Sequence, residues 1–519
     1  MDLKKDSWVI SLDLPRPSLS NNIGDADRII QALKNKIKTS YVDIDYDLLK
    51  EIPQLIRSYD YNILCTFFKY RDKCILIDIK NNSDLNHHII GLAVDLGTTR
   101  IVMRLIDLTN GNKINELTFD NPQIQIGPDI LQRIHYAEKN DGLKELNQLL
   151  IQEINNQITR LCSISSISNK DIYCIAIAGN TAMTHFLMGL DPHWIIREPY
   201  IPVINNFGLI KASKLGIIAN PRSQVLIFPN IGSYFGGDLI SGILYSNIYN
   251  SKETSILVDV GTNAEVVLGN KDWMIACAGA AGPALESGVS EIGITACPGA
   301  IEKIQFNSDI NDFEFFTIDN QKPVGICGSG FIDLAAALFI SGMIDIRGKF
   351  VPEKCNNRLK YIDEILHFIV VKNENSSISS DLSISQADLE SLIRSKAAMY
   401  TILRTITNSV GISFSDLSNF YIAGTFGNYI NPKSAITIGM IPDLPLDKYK
   451  PLGNSSLEGA SLVLSSISKT QSIEKIRDSI TYMELNVNQE FMNRFSAAKF
   501  IPHTDKNLFP TVFNNNRHY

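Results

Sequence analysis

Two short stretches decide the fold of this chain: VDLGTT at residues 94–99 and VDVGTN at residues 258–263. In each stretch an apolar run leads to an aspartate, and a glycine and then a threonine follow. A single Asp-x-Gly is typical of an ordinary hairpin turn. Two copies in matching surroundings indicate instead that one functional turn is present twice.

The segments around the two turns follow the same order. After Ile89 the sequence predicts three strands with tight turns, a helix over 143–162, and a buried strand that leads into IAGNTAM at 177–183. From residue 255 it predicts three strands again, a helix that begins near Ser385, and a buried strand that leads into IAGTFGN at 422–428. Ser385 and the acidic residue three positions later form a capping-box pattern. We therefore predict a duplicated α/β fold in which Asp95 corresponds to Asp259 and Gly179 to Gly424.

The doubled turn has the chemistry that a nucleoside triphosphate requires. Such a ligand needs backbone N–H groups and hydroxyls around its phosphates, and carboxylates near its magnesium ion. Glycine allows a close backbone approach, Thr98, Thr99 and Thr262 add hydroxyls, and Asp95 and Asp259 lie at the predicted strand ends. The sequence predicts one turn for each side of a nucleotide cleft.

Three further segments are ambiguous. Gly424 and Gly427 could let an adenosine lie against the backbone, or they could form a packing turn. GICGSGFIDL at 325–334 could present helix N–H groups to an anion, or it could allow close helix packing. His185 is expected to be a core histidine rather than a catalyst.

Composition narrows the class of protein. The 519 residues are 45% apolar with a net charge of -7, as expected of a large globular protein with more than one domain. No Lys/Arg-rich run points to nucleic acid or to an anionic membrane. The start lacks the pattern of a signal peptide, and the apolar stretch 324–344 predicts a buried loop and helix rather than a membrane span. We expect a cytoplasmic protein.

The eight cysteines show no C-x-x-C pair and no cluster spacing. The sequence therefore contains neither a local zinc motif nor a local iron–sulfur motif. We expect buried thiols that pack as small apolar groups.

The domain limits can be predicted from changes in sequence character. Residues 1–35 are expected to form a linker or arm with one short helix, and residues 36–88 a small α+β middle domain with a hairpin. Residues 89–519 are expected to form the duplicated nucleotide-binding domain, with lobe I over about 89–250 and lobe II over about 251–519.

The order of these motifs resembles the acetate and sugar kinase, heat-shock chaperone and actin superfamily, whose duplicated actin-like ATPase fold places two lobes around a nucleotide cleft. A closer resemblance is to the reductive activators of corrinoid proteins. It is carried by the following stretches: GLAVDLGTTRIVMRLIDL, DNPQIQIGPDILQRIHYA, AGNTAMTHFLMGLDP, AGPALESGVSEIGITACPGAIEKI, GICGSGFIDL, IAGTFGNYINPKSAITIGMIPDLP and the opening ISLDLPRPSL.

The resemblance implies a function. ATP and Mg²⁺ would be the cofactors, and ATP hydrolysis would support the reduction of a Co(II) corrinoid to Co(I) on a corrinoid protein or corrinoid-dependent methyltransferase. Family members usually carry an iron–sulfur domain ahead of the linker. Since no cluster-type cysteine spacing occurs in this chain, the resemblance leaves the electrons to a separate ferredoxin-type donor. A homodimer is among the expected states, and residues 281–304 are expected either to contact a partner or the other lobe or to form a buried lobe core.

The resemblance also assigns site residues. Asp95 and Asp259 would be catalytic and would hold Mg²⁺, directly or through water. The expected nucleotide-binding residues are Gly97, Thr98, Thr99, Gly261, Thr262, Asn263, Gly328, Ser329, Gly330, Gly424, Thr425 and Gly427. Two alternatives stay open: a small-molecule kinase in which Asp259 is the general base, and a nucleotide-sensing scaffold without a redox role.

Overall fold

The computed structural model describes residues 6–84, 87–261, 264–279, 290–355, 357–378, 380–485 and 489–514. The chain divides into two compact units. The first contains Met1–Tyr245 and Ser455–Ser479, and the second contains Ser246–Asn454 and Ile480–Tyr519. The first unit therefore takes a late segment of the chain.

Strands and helices are both distributed along the whole described chain. In chain order, the strands are β1 (Val9–Asp13), β2 (Asp43–Ile44), β3 (Asn62–Tyr70), β4 (Lys73–Asn81), β5 (Ile90–Leu96), β6 (Arg100–Asp107), β7 (Lys113–Asp120), β8 (Ile172–Gly179), β9 (Leu209–Lys211), β10 (Gln224–Ile227), β11 (Ser255–Val260), β12 (Ala264–Gly269), β13 (Met274–Gly279), β14 (Ala300–Asn307), β15 (Asp312–Thr317), β16 (Gly325–Ile326), β17 (Leu359–Ile362), β18 (Ile365–Val371), β19 (Leu382–Ser385), β20 (Asn419–Ala423), β21 (Tyr449–Gly453) and β22 (Ile480–Tyr482). The helices are α1 (Asp25–Ile37), α2 (Tyr46–Ser58), α3 (Ile130–Ala137), α4 (Gly142–Ile164), α5 (Thr181–Met188), α6 (Gly237–Ser246), α7 (Gly328–Ile340), α8 (Gln386–Ser409), α9 (Gly424–Tyr429), α10 (Pro432–Thr437), α11 (Ser455–Ser465), α12 (Ile467–Ser479), α13 (Gln489–Ala498) and α14 (Pro510–Asn514).

The N-terminal part of the first unit forms a small sheet with the strand order β1-β3-β4-β2. The predicted hairpin is confirmed as the antiparallel pair β3–β4. Just before β1, Trp8 is fully buried and packs edge-on against Phe67 and Phe68. Its indole nitrogen donates a hydrogen bond to the Val463 carbonyl of α11 at 2.9 Å. The segment that leads into β1 is thus part of the core of this unit.

Each unit contains a six-stranded sheet, and the two sheets share the same core order. The first runs β7-β6-β5-β8-β10-β9 and the second runs β21-β20-β11-β12-β13-β22. In both, three consecutive antiparallel strands are followed by two strands that pair in parallel, β8 and β10 or β20 and β21. The predicted duplication of the α/β fold is confirmed.

The register of the parallel pairs places the two aspartates equivalently. Asp95 of β5 lies opposite Ala178 of β8, and Asp259 of β11 lies opposite Ala423 of β20. Because Gly179 and Gly424 are the next residues, each aspartate has a glycine beside it at the carboxyl end of the parallel strand. Parallel strands end at the same edge of a sheet, so this edge is the natural position for a ligand.

The two long helices follow from their sequence patterns. The buried residues of α4 recur at helical spacing and pack on the core of the first six-stranded sheet. The predicted capping box of α8 is confirmed: Ser385 Oγ accepts a hydrogen bond from the Asp388 amide, and Asp388 Oδ2 accepts one from the Ser385 amide, both at 3.0 Å.

The late helix α11 is tied to the first unit by a buried arginine. Arg104 of β6 is 8% exposed. It donates hydrogen bonds to Glu116 at 2.9 Å, to Glu458 at 2.7 Å and to Ser461 at 3.0 Å. Since Glu458 and Ser461 belong to α11, this ion pair joins segments that are far apart in sequence.

Smaller features of the chain also agree with the sequence predictions. Seven of the eight cysteines are buried and all are free, as expected for packing thiols. The stretch 324–344 contains the buried helix α7, as predicted. In the part of the chain that the structure describes, no helix has both the length and the apolarity needed to cross a bilayer.

We predict that Arg104→Met lowers the free energy of unfolding of the first unit by about 2 kcal/mol, because two carboxylates lose a partner that is buried. The matched control is Arg100→Met on the same strand, whose pair with Asp120 is long at 3.6 Å and open to solvent; it should cost less than about 0.5 kcal/mol. Urea unfolding measures both, and hydrogen exchange should show faster opening of α11 in the first variant alone. Equal losses in the two variants would contradict the role of this ion pair.

Candidate functional site

The turn after β5 carries the first set of predicted site residues. Asp95 is part-buried at the end of β5, Gly97 and Thr98 are part-buried, and Thr99 is exposed. Thr98 Oγ1 accepts a hydrogen bond from the Asn180 side chain at 3.0 Å. Asn180 is the N-cap of α5 and directly follows Gly179, the last residue of β8. The structure therefore brings the turn after β5 next to the end of β8.

Two buried polar side chains hold the backbone carbonyls of this turn by hydrogen bonds. The Asn121 side chain donates to the Gly97 carbonyl at 2.9 Å, and the Arg133 guanidinium donates to the Thr98 carbonyl at 2.7 Å. The Asn121 amide also donates to the Thr99 carbonyl at 2.8 Å. Both side chains are fully buried. The three carbonyls of the turn are therefore all occupied.

The amides of the same turn are in the opposite situation. Within the described part of the chain, neither the Thr98 amide nor the Thr99 amide donates a hydrogen bond to the protein. Two adjacent N–H groups without a protein acceptor form the kind of backbone site that binds anions. The turn thus fits the phosphate-binding role expected from the sequence.

Asp238 is a second carboxylate near this turn, and it was not predicted from the sequence. It lies in the first turn of α6, just after Gly236 and Gly237. A β-carbon on Gly236 would lie 2.4 Å from the Asn180 Cα and 2.6 Å from Asp238 Oδ1, so only glycine allows α6 to begin so close to the end of β8. The glycine pair ahead of an aspartate in FGGDLISG is the signal that could have revealed it.

The environment of Asp238 favours its neutral form. Burial raises the pKa of this carboxyl to about 6, and the nearby charge of Asp95 acts in the same direction. A carboxyl that titrates close to neutral pH can exchange protons under physiological conditions. Mg²⁺ is usually held by one or two carboxylates and several waters, so Asp95 and Asp238 fit such an ion. Among the residues that the structure describes, no group of three or more His, Cys, Asp or Glu side chains could hold a metal.

The corresponding edge of the second unit carries Asp259. This residue is part-buried at the end of β11, and Gly261 beyond it is also part-buried. Gly424 has a φ of +83°, and a β-carbon there would lie 3.0 Å from Asp259 Oδ1. A side chain at this position would therefore be both strained and in contact with the carboxylate. Thr262 and Asn263 lie outside the described residues.

The remaining predicted residues lie in packed segments. Gly427 of α9 has no space for a side chain, since a β-carbon would lie 2.6 Å from the Ile422 carbonyl. Thr425 belongs to the same short helix. At the start of α7, Ser329 Oγ donates to the Glu302 carbonyl at 3.0 Å, and a β-carbon on Gly330 would lie 2.4 Å from the Ile301 carbonyl. Gly328, Ser329 and Gly330 thus belong to a closely packed helix start, and their nucleotide-binding role stays a prediction.

His185 has the core role expected of it. It is fully buried in α5. Its Nδ1 bonds the Thr181 carbonyl at 2.7 Å, and its Nε2 accepts a hydrogen bond from the Val203 amide at 3.1 Å. Burial lowers the pKa of His185, so a neutral ring with a proton on Nδ1 satisfies both contacts.

Comparison with known proteins places this geometry in a family. Three family models match: the RACo linker region over residues 1–84, the RACo middle region over 90–251, and the C-terminal domain of RACo, the ASKHA domain, over 253–513. These matches divide the chain differently from the predicted domains, whose limits stay a prediction.

Individual relatives agree with the family models. The corrinoid activation enzyme RamQ of Eubacterium limosum is 30% identical over 473 residues, which are 87% of this chain and 79% of the relative. The [Co(II) methylated amine-specific corrinoid protein] reductase of Methanosarcina barkeri is 24% identical over 443 residues, 78% of this chain and 75% of the relative.

A solved structure extends the likeness to three dimensions. The reductive activator for corrinoid, iron-sulfur protein superposes with a TM-score of 0.86 at 37% identity, over 99% of this chain and 81% of that one. The expected actin-like fold is thereby confirmed. This chain belongs to the family of reductive activators of corrinoid proteins.

Proposed function

We propose that this chain is an ATP-dependent reductive activator of a corrinoid protein. In this proposal it hydrolyses ATP and supports the return of a partner's corrinoid from Co(II) to Co(I) in the cytoplasm. A separate ferredoxin-type protein supplies the electron. The observation that carries the proposal is the turn after β5. In a chain of this family, its occupied carbonyls and its two amides without an acceptor among the described residues adjoin Asp95.

The first unit supplies phosphate contacts in this proposal. The amides of Thr98 and Thr99 bind phosphate oxygens, and Gly97 keeps the backbone accessible. Asp95 holds the magnesium ion together with Asp259 of the second unit, directly or through water, and Asp238 is a further carboxylate beside Asp95 that fits this ion. The ion, when bound, neutralises charge that develops on the phosphates.

The second unit supplies the remaining contacts. Asp259 orients the attacking water. The neighbouring turn residues Gly261, Thr262 and Asn263 contact phosphate. Gly424, Thr425 and Gly427 contact the adenosine, and the start of α7 at Gly328, Ser329 and Gly330 is a further contact. The support for Gly424 is its position against the Asp259 carboxylate.

Hydrolysis of ATP is the proposed chemical step. Water attacks the γ-phosphorus, the bond from that phosphorus to the β–γ bridging oxygen breaks, and ADP and phosphate are released. The proton of the attacking water leaves with the released phosphate, and Asp259 orients that water for the attack. One electron from the donor reduces Co(II) to Co(I), and ATP-dependent conformational change in the activator makes this uphill transfer accessible.

Two further assignments are part of the proposal. The chain is proposed to consist of the predicted domains 1–35, 36–88 and 89–519. Its proposed oligomeric state is a homodimer. Residues 281–304 remain a candidate contact region. Of these, 281–289 lie outside the described residues, while Ile292, Ala300 and Ile301 are buried in the second unit, as in the lobe-core alternative.

The direct test is corrinoid reduction in vitro. A purified Co(II) corrinoid protein is mixed with this chain, a low-potential ferredoxin and Mg-ATP, and Co(I) formation is followed by absorbance. We expect reduction that requires both ATP and this chain, with ATP turnover that rises when the partner is present.

The same assay separates the alternatives. ATP consumption that leaves a phosphorylated small molecule would support a kinase instead. Tight ATP binding without turnover, even with the partner, would support a nucleotide-sensing scaffold. Co(I) formation at the same rate without ATP would contradict the proposal.

We predict that Asp259→Asn lowers the rate of ATP turnover by about 100-fold or more, because a positioned charge at the reacting phosphate is lost. The control is Asp272→Asn, an exposed aspartate in the turn between β12 and β13 of the same unit. It should leave turnover unchanged. Steady-state phosphate release measures both, with circular dichroism as the check on folding. Wild-type turnover in Asp259→Asn would remove this residue from the mechanism.

We predict that Gly424→Ala weakens ATP binding by about tenfold or more, because the methyl group forces a strained φ and presses on Asp259. Gly411→Ala is the matched control: this glycine also has a positive φ, of +68°, but a β-carbon there meets nothing within 4 Å. The control should lose stability without losing affinity. Calorimetric titration measures the affinity of both variants for ATP. Equal affinities in the two variants would contradict a nucleotide contact at Gly424.

A further inference from the structure

The peptide planes of the turn 97–99 are fixed from the protein side. The Gly97 carbonyl is held by the Asn121 side chain and the Thr98 carbonyl by the Arg133 guanidinium, at 2.9 and 2.7 Å. In a trans peptide the N–H points opposite to the C=O. The Thr98 and Thr99 amides therefore point away from Asn121 and Arg133, and the two buried side chains set the direction in which the turn offers its donors.

Hydrogen bonding also polarises these peptides. A carbonyl that accepts from a charged group makes the N–H of the same peptide a stronger donor. Arg133 acts in this way on the Thr99 amide, and Asn121 acts more weakly on the Thr98 amide. The arrangement strengthens the two donors that have no acceptor among the described residues.

The charge of Arg133 lacks a counter-ion within the described part of the chain. Its guanidinium is fully buried and meets the Thr98 and Gly127 carbonyls, the Gln123 side chain at 3.3 Å and the Met183 sulfur at 3.4 Å. No carboxylate among the described residues lies within ion-pair distance of it. Burial lowers the pKa of Arg133 to about 10, and the more distant Asp129 only partly opposes this. A buried charge without a partner is costly, so an anion close to the turn would relieve this cost.

We propose that Arg133 and Asn121 are positioning residues of the phosphate site, and that the nucleotide's phosphates are the counter-ion of Arg133. This inference rests on the proposed function and deepens it. Arg133 does not touch the ligand: it acts through the Thr98–Thr99 peptide, which it orients and polarises. The interaction favours ligands in proportion to their phosphate charge.

The test compares Arg133→Met, Arg133→Lys and Asn121→Ala with the wild-type chain. Arg160→Met, an exposed arginine on α4, is the control that removes the same charge from the same unit. Calorimetric affinities for Mg-ATP, Mg-ADP and AMP are measured at low and moderate salt. Circular dichroism establishes that each variant is folded.

We expect Arg133→Met to bind ATP about tenfold more weakly or worse, ADP less affected and AMP nearly unchanged, with a smaller salt dependence than in the wild type. Arg133→Lys keeps the charge without the fork of donors and should recover part of the affinity. Asn121→Ala should weaken ATP binding less than Arg133→Met, and Arg160→Met should bind as the wild type does.

Two results would overturn the inference. One is wild-type ATP affinity in folded Arg133→Met. The other is an equal loss for ATP, ADP and AMP, which indicates only structural damage. If Arg133→Met does not fold, the test uses Arg133→Lys instead and compares its losses of affinity for ATP, ADP and AMP in the same way. A wild-type chain that binds none of these nucleotides would instead overturn the proposed function.

Discussion

The parallel pairing of each aspartate-bearing strand with a strand much later in the chain is the constraint on which the rest of the structure depends. β5 pairs with β8 and β11 pairs with β20, and each register places the aspartate beside the last residue before a glycine. A shift of one residue would turn the aspartate to the other face of the sheet. The buried cores of both sheets fix the register, so hydrophobic packing indirectly determines where the carboxylates lie.

Two buried arginines of the first unit show how similar side chains serve different purposes. Arg104 is surrounded by Glu116, Glu458 and Ser461, and its charge is compensated where it joins α11 to the sheet. Arg133 is also buried but meets carbonyls, an amide oxygen and a sulfur. If Arg133 served stability alone, a carboxylate partner like those of Arg104 would be expected for it as well. Among the described residues this charge has no carboxylate partner and the amides of the turn have no acceptor, which agrees with the proposed phosphate site, because local energetic cost is common at binding sites.

Much of the fold was accessible from the sequence because its signals are local. The strand patterns around Asp95 and Asp259 and the capping box at Ser385 depend on residues a few positions apart, and all are confirmed. Asp238, Asn121 and Arg133 were not predicted, because their importance arises only when α6, the segment before α3, α3 itself and the turn after β5 come together. The glycines at the start of α7 show the opposite limit: a Gly-rich sequence predicts close approach, but not whether a ligand or the carbonyl of Ile301 is what approaches.

The turns after β5 and β11 are proposed to act on the same magnesium nucleotide, and this is the central claim. The most direct measurement is a calorimetric titration of the full chain with a non-hydrolysable Mg-ATP analogue, repeated with Asp95→Asn and with Asp259→Asn. We expect a single binding event per chain that both substitutions weaken. Two independent binding events, or a single event that only one of the substitutions affects, would contradict it.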